Sequence, residues 1–202
     1  MHFALVLAYY KIFTFGHMID QDTFEHLLPF AYQWAKATEE LTLACGAPLS
    51  SRHMADARLA GVQDCSKIRV LVVDRIPMPE NRELAEAARH TGIITDDTRC
   101  VGFGHAVIIR ADSWGDRELL LHNLVHIAQC ERSGGLEPWV RQYIGNRRDC
   151  AHFTIGSLEE EARRRAREIC AADSVASQPV NCSTSSPFNS TSRPIQATSS
   201  SR

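Results

Sequence analysis

The sequence has almost no net charge: 22 Lys and Arg stand against 24 Asp and Glu, a formal charge of -2. A protein that grips nucleic acid without other help needs clustered positive charge to displace counterions, so this balance argues against that class. Long apolar runs are also missing. None approaches the roughly 18 residues that read as a membrane span, so no span is expected. Seven cysteines are present, but no CxxC pair, which disfavours both a thiolate zinc knuckle and a fully paired disulfide framework. The thiols fall singly, at Cys45, Cys65, Cys100, Cys130, Cys150, Cys170 and Cys182. That scatter suits a reducing compartment, and a cytoplasmic location is expected. What is present, 202 residues of which 44% are hydrophobic, suffices for one domain with a buried core and tails.

Composition divides the chain unevenly. Residues 1–19 open with Phe3-Ala4-Leu5-Val6-Leu7-Ala8, an apolar run that resembles a signal-peptide core. It lacks a preceding Lys or Arg, and Lys11 interrupts it, so it reads as an N-terminal extension; a secreted protein would follow only if residues 1–17 acted as a signal. Residues 173–202 are mostly Ser, Thr, Pro, Asn and Gln, too polar to offset the entropy of ordering the backbone, and read as a disordered tail. The domain is therefore expected over residues 20–172.

Within it, Phe24, Leu27, Leu28, Ala31, Trp34 and Ala35 recur at helical spacing and predict a helix over 22–44, stopped by Gly46-Ala47-Pro48. A second helix is expected from Ser51 to Ala60, ended by Gly61. The β-branched run Ile68–Val73 predicts a strand closed by Pro77 and Pro79, Glu83–His90 a short helix stopped by Gly92, and Gly102–Arg110 one further strand. Two more helices follow, Arg117–Gln129 and Leu158–Cys170. The order predicts an α+β fold with a small sheet.

The chemistry sits in those last two helices. His122 and His126 stand four residues apart inside a run of Leu, Val and Ile. One helical turn puts both imidazoles on one face, within reach of a single metal ion. Burying two imidazoles among aliphatic groups is costly unless their nitrogens find partners, and either zinc or backbone carbonyls would serve. In the second helix Ser157 and Glu160 form a capping-box pattern, and Leu158, Ala162, Ala166 and Ile169 make an apolar stripe. Glu159 lies nearest that stripe, Glu161 further round, and Glu160 points away. Glu159 is thus the favoured third ligand and Glu161 the alternative, unless all three are solvated acids at a helix N-terminus.

At these residues the sequence resembles the zincin-type metallopeptidases, specifically an uncharacterised bacterial-type branch of the glutamate zincins. The matching stretches are His122–Gln129, Glu131-Arg132-Ser133-Gly134-Gly135, Arg141-Gln142-Tyr143 and Leu158-Glu159-Glu160-Glu161-Ala162, with Leu71–Pro77 and Gly102-Phe103-Gly104-His105 upstream. The resemblance runs from about Asp20 to Cys170. It implies a zincin-like fold with Zn2+ on His122, His126 and Glu159. It also implies an open position for water, and the Gly102–Arg110 strand as a sheet edge to which an extended peptide adds.

One departure changes the functional expectation. In a working zincin the residue after the first His is Glu, which takes a proton from the metal-activated water and passes it to the leaving amine. Here it is Asn123, whose amide has no useful proton-transfer pKa near neutrality. The expectation is a zinc-binding relative with impaired or absent peptide hydrolysis. The alternatives are an active metallopeptidase using another base, or a peptide-binding module. Glu118, His105, His152 and Tyr143 are the residues to examine for a compensating role. His152-Phe153 stands where the family shows Gly-Tyr, and Cys130 replaces a family Tyr.

Overall fold

The computed structural model describes residues 20–149 and 157–176. Six helices and a four-stranded sheet make up an α+β fold. In chain order they are α1 (Gln21–Cys45), β1 (Ala47–Pro48), α2 (Ser51–Ala60), β2 (Arg69–Val73), α3 (Arg82–Thr91), β3 (Cys100–Phe103), β4 (Ala106–Arg110), α4 (Arg117–Arg132), α5 (Leu136–Asp149) and α6 (Leu158–Ala176). The sheet order is β1-β2-β4-β3; β2 and β4 run parallel, and the outer pairs are antiparallel.

β4 is an interior strand, and its first four residues are all buried. Its side chains alternate between two cores. Val107 and Ile109 join Leu120, Leu124 and Ile127 of α4 on one face, together with Ala57 and Ala60 of α2. Ile108 joins Ile76, Ala88 and Ile94 on the other. Helices therefore cover both faces, as a strand that is apolar on both sides requires. α4 lies deepest: Leu121, Leu124, Val125, Ile127 and Ala128 have no exposure, and α6 and α2 pack along it. Its N-terminus is capped by Asp116, which accepts from the Leu119 N–H at 3.0 Å. The same end is tied to α2 by a two-pronged pair from Arg117 to the buried Asp56, at 2.7 and 3.1 Å. Such a pair fixes register, and losing one partner would strand the other charge.

Three expectations need correction. The Gly102–Arg110 segment is not one strand but a hairpin. Phe103 pairs with Ala106 across a two-residue loop in which Gly104 has φ +57° and His105 does not have positive φ. Glycine at the first loop position is the II′ arrangement that suits the twist of paired strands, and the continuous apolar pattern on either side hid it. In consequence β3, and not β4, forms the sheet edge on this side, opposite the β1 edge. The last helix runs to Ala176, past the expected domain end at 172. The remainder of the tail, the N-terminal extension and His152-Phe153 lie outside the described residues. A further helix, α5, had no counterpart among the expected elements. Leu136, Trp139, Val140, Tyr143 and Ile144 have the helical spacing for it, and Pro138 falls in its first turn, where no intrahelical donor is needed.

Candidate metal centre

The two histidines project from the buried middle of α4, and their Nε2 atoms lie 3.0 Å apart. α6 crosses this face of α4, and Ser157 starts it by accepting from the Glu160 N–H at 3.1 Å. That cap sets the first turn so that Glu159 turns inward. One carboxylate oxygen lies 3.3 Å from His126 Nε2 and the other 3.6 Å from His122 Nε2. Among the described residues these three form the one group of His, Cys, Asp or Glu able to share a metal ion. Donors roughly 2.0–2.1 Å from a tetrahedral zinc stand about 3.3 Å from one another; the two imidazole nitrogens are 3.0 Å apart, and each has a different oxygen of Glu159 at 3.3 or 3.6 Å. The donor chemistry and the spacing both fit a divalent ion. Glu161 is not part of the group. Its carboxylate accepts from Gln129 at 2.9 Å and from Arg132 at 2.7 Å, so of the two candidates Glu159 is the one in place.

Two supporting residues come from outside the expected ligand set. Gln129, 1% exposed, donates its amide N–H groups to the Leu158 carbonyl and to Glu161, both at 2.9 Å. Both partners only accept, so the amide oxygen must face His126 Nδ1, 2.8 Å away. That nitrogen therefore carries the hydrogen, which in the neutral tautomer leaves the lone pair on Nε2, facing the shared point. Tyr143 of α5 donates its hydroxyl to Glu159 at 2.6 Å, and its ring stacks on Trp139 and meets His126 edge-on. Gln129 was legible only as a buried amide one turn beyond a histidine. The role of Tyr143 depends on α5, and it is the carboxylate of Glu159 that its hydroxyl engages.

The electrostatics favour ligand forms. Burial, the second imidazole and Arg163 push His122 down to about 4, against the pull of Glu159, so it is neutral at pH 7. Burial pushes the Glu159 carboxyl up, but the hydrogen bond with His126, the positive charge either imidazole gains on protonation, and the Tyr143 hydroxyl outweigh it. They hold the group well below the usual carboxylate range.

Asn123 is buried, and its side-chain N–H donates to the Leu119 carbonyl one turn back, at 2.8 Å. β3 presses directly on it: a Cβ on Gly102 would stand 2.7 Å from the Asn123 carbonyl oxygen and 2.9 Å from its Cβ. Of the described residues weighed for a compensating role, Tyr143 is in the site through Glu159, whereas His105 and Glu118 lie elsewhere. His105 sits in the hairpin loop between Glu39 and Glu131, at 3.8 and 3.5 Å, and Glu118 pairs with Arg167 at 3.4 Å.

Next to the three ligand residues opens a cleft of about 280 Å³. Its walls are largely apolar, with Phe24, Leu28 and Trp34 of α1, Leu84 of α3, Phe103 of β3 and Val140 of α5. Asn123, Tyr143 and the three ligand residues supply polar groups. The indole N–H of Trp139, also on this wall, is buried and has no hydrogen-bond partner among the described residues. No helix among the described residues is long and apolar enough to cross a membrane. Comparison with protein-family models, with curated proteins and with solved structures finds no match to this chain.

Proposed function

We propose that this protein is a zincin-type relative that binds zinc through His122, His126 and Glu159 and has little or no peptidase activity. The observation that carries the reading is the meeting of three ligand residues from two helices, whose ligand atoms lie within 4.8 Å of one another, with Gln129 holding His126 in the ligand tautomer. Zinc supplies a Lewis acid and a polarised water when bound. Around it, His122 and His126 offer neutral nitrogens, Tyr143 orients Glu159, and Gln129 orients His126. Asn123 stands where a zincin has its proton carrier, and its amide cannot take up or deliver a proton at neutral pH. General acid–base catalysis is worth roughly 10²–10⁴-fold, and that contribution is missing. Of the described residues weighed as substitutes, Glu118 and His105 are engaged elsewhere, and the Tyr143 hydroxyl is committed to Glu159.

The test is a peptide-library cleavage assay on the zinc-loaded wild type and Asn123→Glu. The wild type should be inactive or nearly so, and the variant should gain chelator-sensitive cleavage of roughly 10²-fold or more. Chelator-sensitive cleavage by the wild type that Asn123→Glu leaves unchanged would overturn the reading in favour of an active peptidase with another base. A second reading, a module that holds a peptide without cutting it, is favoured by β3. That strand is a sheet edge beside the cleft, where an extended peptide can pair with free backbone groups.

A further inference from the structure

We infer that the cleft binds a small amphiphile, an apolar chain ending in a carboxylate, with the carboxylate at the open position beside His122, His126 and Glu159. The inference rests on the metal reading and names the ligand that site would take. Its first support is charge. Among the described residues lining the cleft, Glu159 is the one acid, and none is Lys or Arg. A divalent ion would leave the polar end with a net positive charge. At the position next to His122, where a peptidase carries a carboxylate, the neutral Asn123 adds no second negative charge to repel an anion. Losing the proton carrier and admitting a carboxylate are two consequences of the same residue.

The second support is shape and chemistry. From the ligand group the cleft extends between α1, α3 and β3, and its lining there is aliphatic and aromatic. At roughly 30 Å³ per water-sized group, 280 Å³ accommodates about nine such groups, the size of a medium-length acyl chain or of one bulky apolar residue at a peptide C-terminus. Both sources share one chemistry: a carboxylate one end, an apolar body the other. A pocket with mostly apolar walls and few polar groups at one end is the form expected of a site that orients such a ligand.

The experiment uses the full chain loaded with Co2+ in place of zinc. Its visible spectrum is titrated with acetate, butanoate, hexanoate and octanoate, with octan-1-ol, and with N-acetyl-Ala-Ala-Leu as acid and as amide. The acids are expected to alter the cobalt bands. Affinity should rise by up to about fourfold per methylene, giving octanoate at least a hundredfold advantage over acetate, while octanol and the peptide amide leave the bands unchanged. A peptide acid stronger than octanoate would identify a chain terminus as the source, and the reverse a free acid; either supports the shared chemistry. Cobalt held at one per chain with bands insensitive to all acids, or with acetate as strong as octanoate, overturns this inference and leaves the metal reading standing. A chain that holds no cobalt overturns both.

Discussion

Replacing Gln129 by Met tests the link between the buried hydrogen-bond network and the metal site. The side chain is close in size and shape, so packing around it changes little. What is lost is three hydrogen bonds, to His126 Nδ1 at 2.8 Å and to Leu158 O and Glu161 at 2.9 Å. At 1% exposure no water replaces them. Glu161 keeps Arg132, so two groups, the His126 N–H and the Leu158 carbonyl, are left without partners. At about 1–3 kcal/mol for each stranded group, the loss of stability should be about 2–6 kcal/mol. Urea denaturation of the metal-free protein measures it. The more specific effect is on zinc. With nothing to hold the hydrogen on Nδ1, His126 samples the wrong tautomer and orientation, and zinc affinity, read by chelator competition, should fall roughly 10–100-fold. Gln129→Glu separates the two effects. It keeps an acceptor for His126 but sets a carboxylate against Leu158 O and Glu161, so stability should fall while zinc affinity is largely kept. If Gln129→Met loses stability yet binds zinc as tightly as the wild type, the tautomer argument is refuted.

Two further outcomes follow from the same geometry. His122 is neutral in the fold down to about pH 4, whereas an unfolded histidine gains its proton near pH 6.5. The metal-free protein should therefore keep full stability above pH 6.5 and lose about 3 kcal/mol as pH falls from there to 4. His122→Asn should flatten that dependence in thermal melts taken across the range, and an equal slope in the variant would contradict the assignment. Gly102→Ala would place a methyl 2.7 Å from the backbone oxygen of Asn123, and the facing atoms are main chain. We expect a loss of about 1–3 kcal/mol and a weaker hold of β3 on α4, and a melting temperature within a degree of wild type would show that this contact is not rigid.

The helices with a wide apolar stripe were legible because their spacing is local information: Phe24, Leu27, Leu28 and Ala31 identify α1 whatever surrounds them. The same holds for the His122–His126 pair, since a helix fixes a four-residue separation by itself. Glu159 followed from a helical wheel, and its place in the site from the packing of α6 on α4. The hairpin escaped because apolar residues run on both sides of Gly104-His105, and only the positive φ of Gly104 marks the turn. Gln129 and Tyr143 could not be assigned their partners from spacing. Their hydrogen bonds reach residues 29 and 16 positions away, across helices whose relative placement no local pattern encodes.

The claim on which the account turns is that His122, His126 and Glu159 hold a metal. It is tested most directly by metal analysis of the full chain purified without added metal, beside His126→Ala. About one zinc per chain in the wild type, and a loss of nearly all of it in a variant that still folds, is the predicted result. A wild-type chain that is folded, metal-free and unable to take up zinc on dialysis would contradict it.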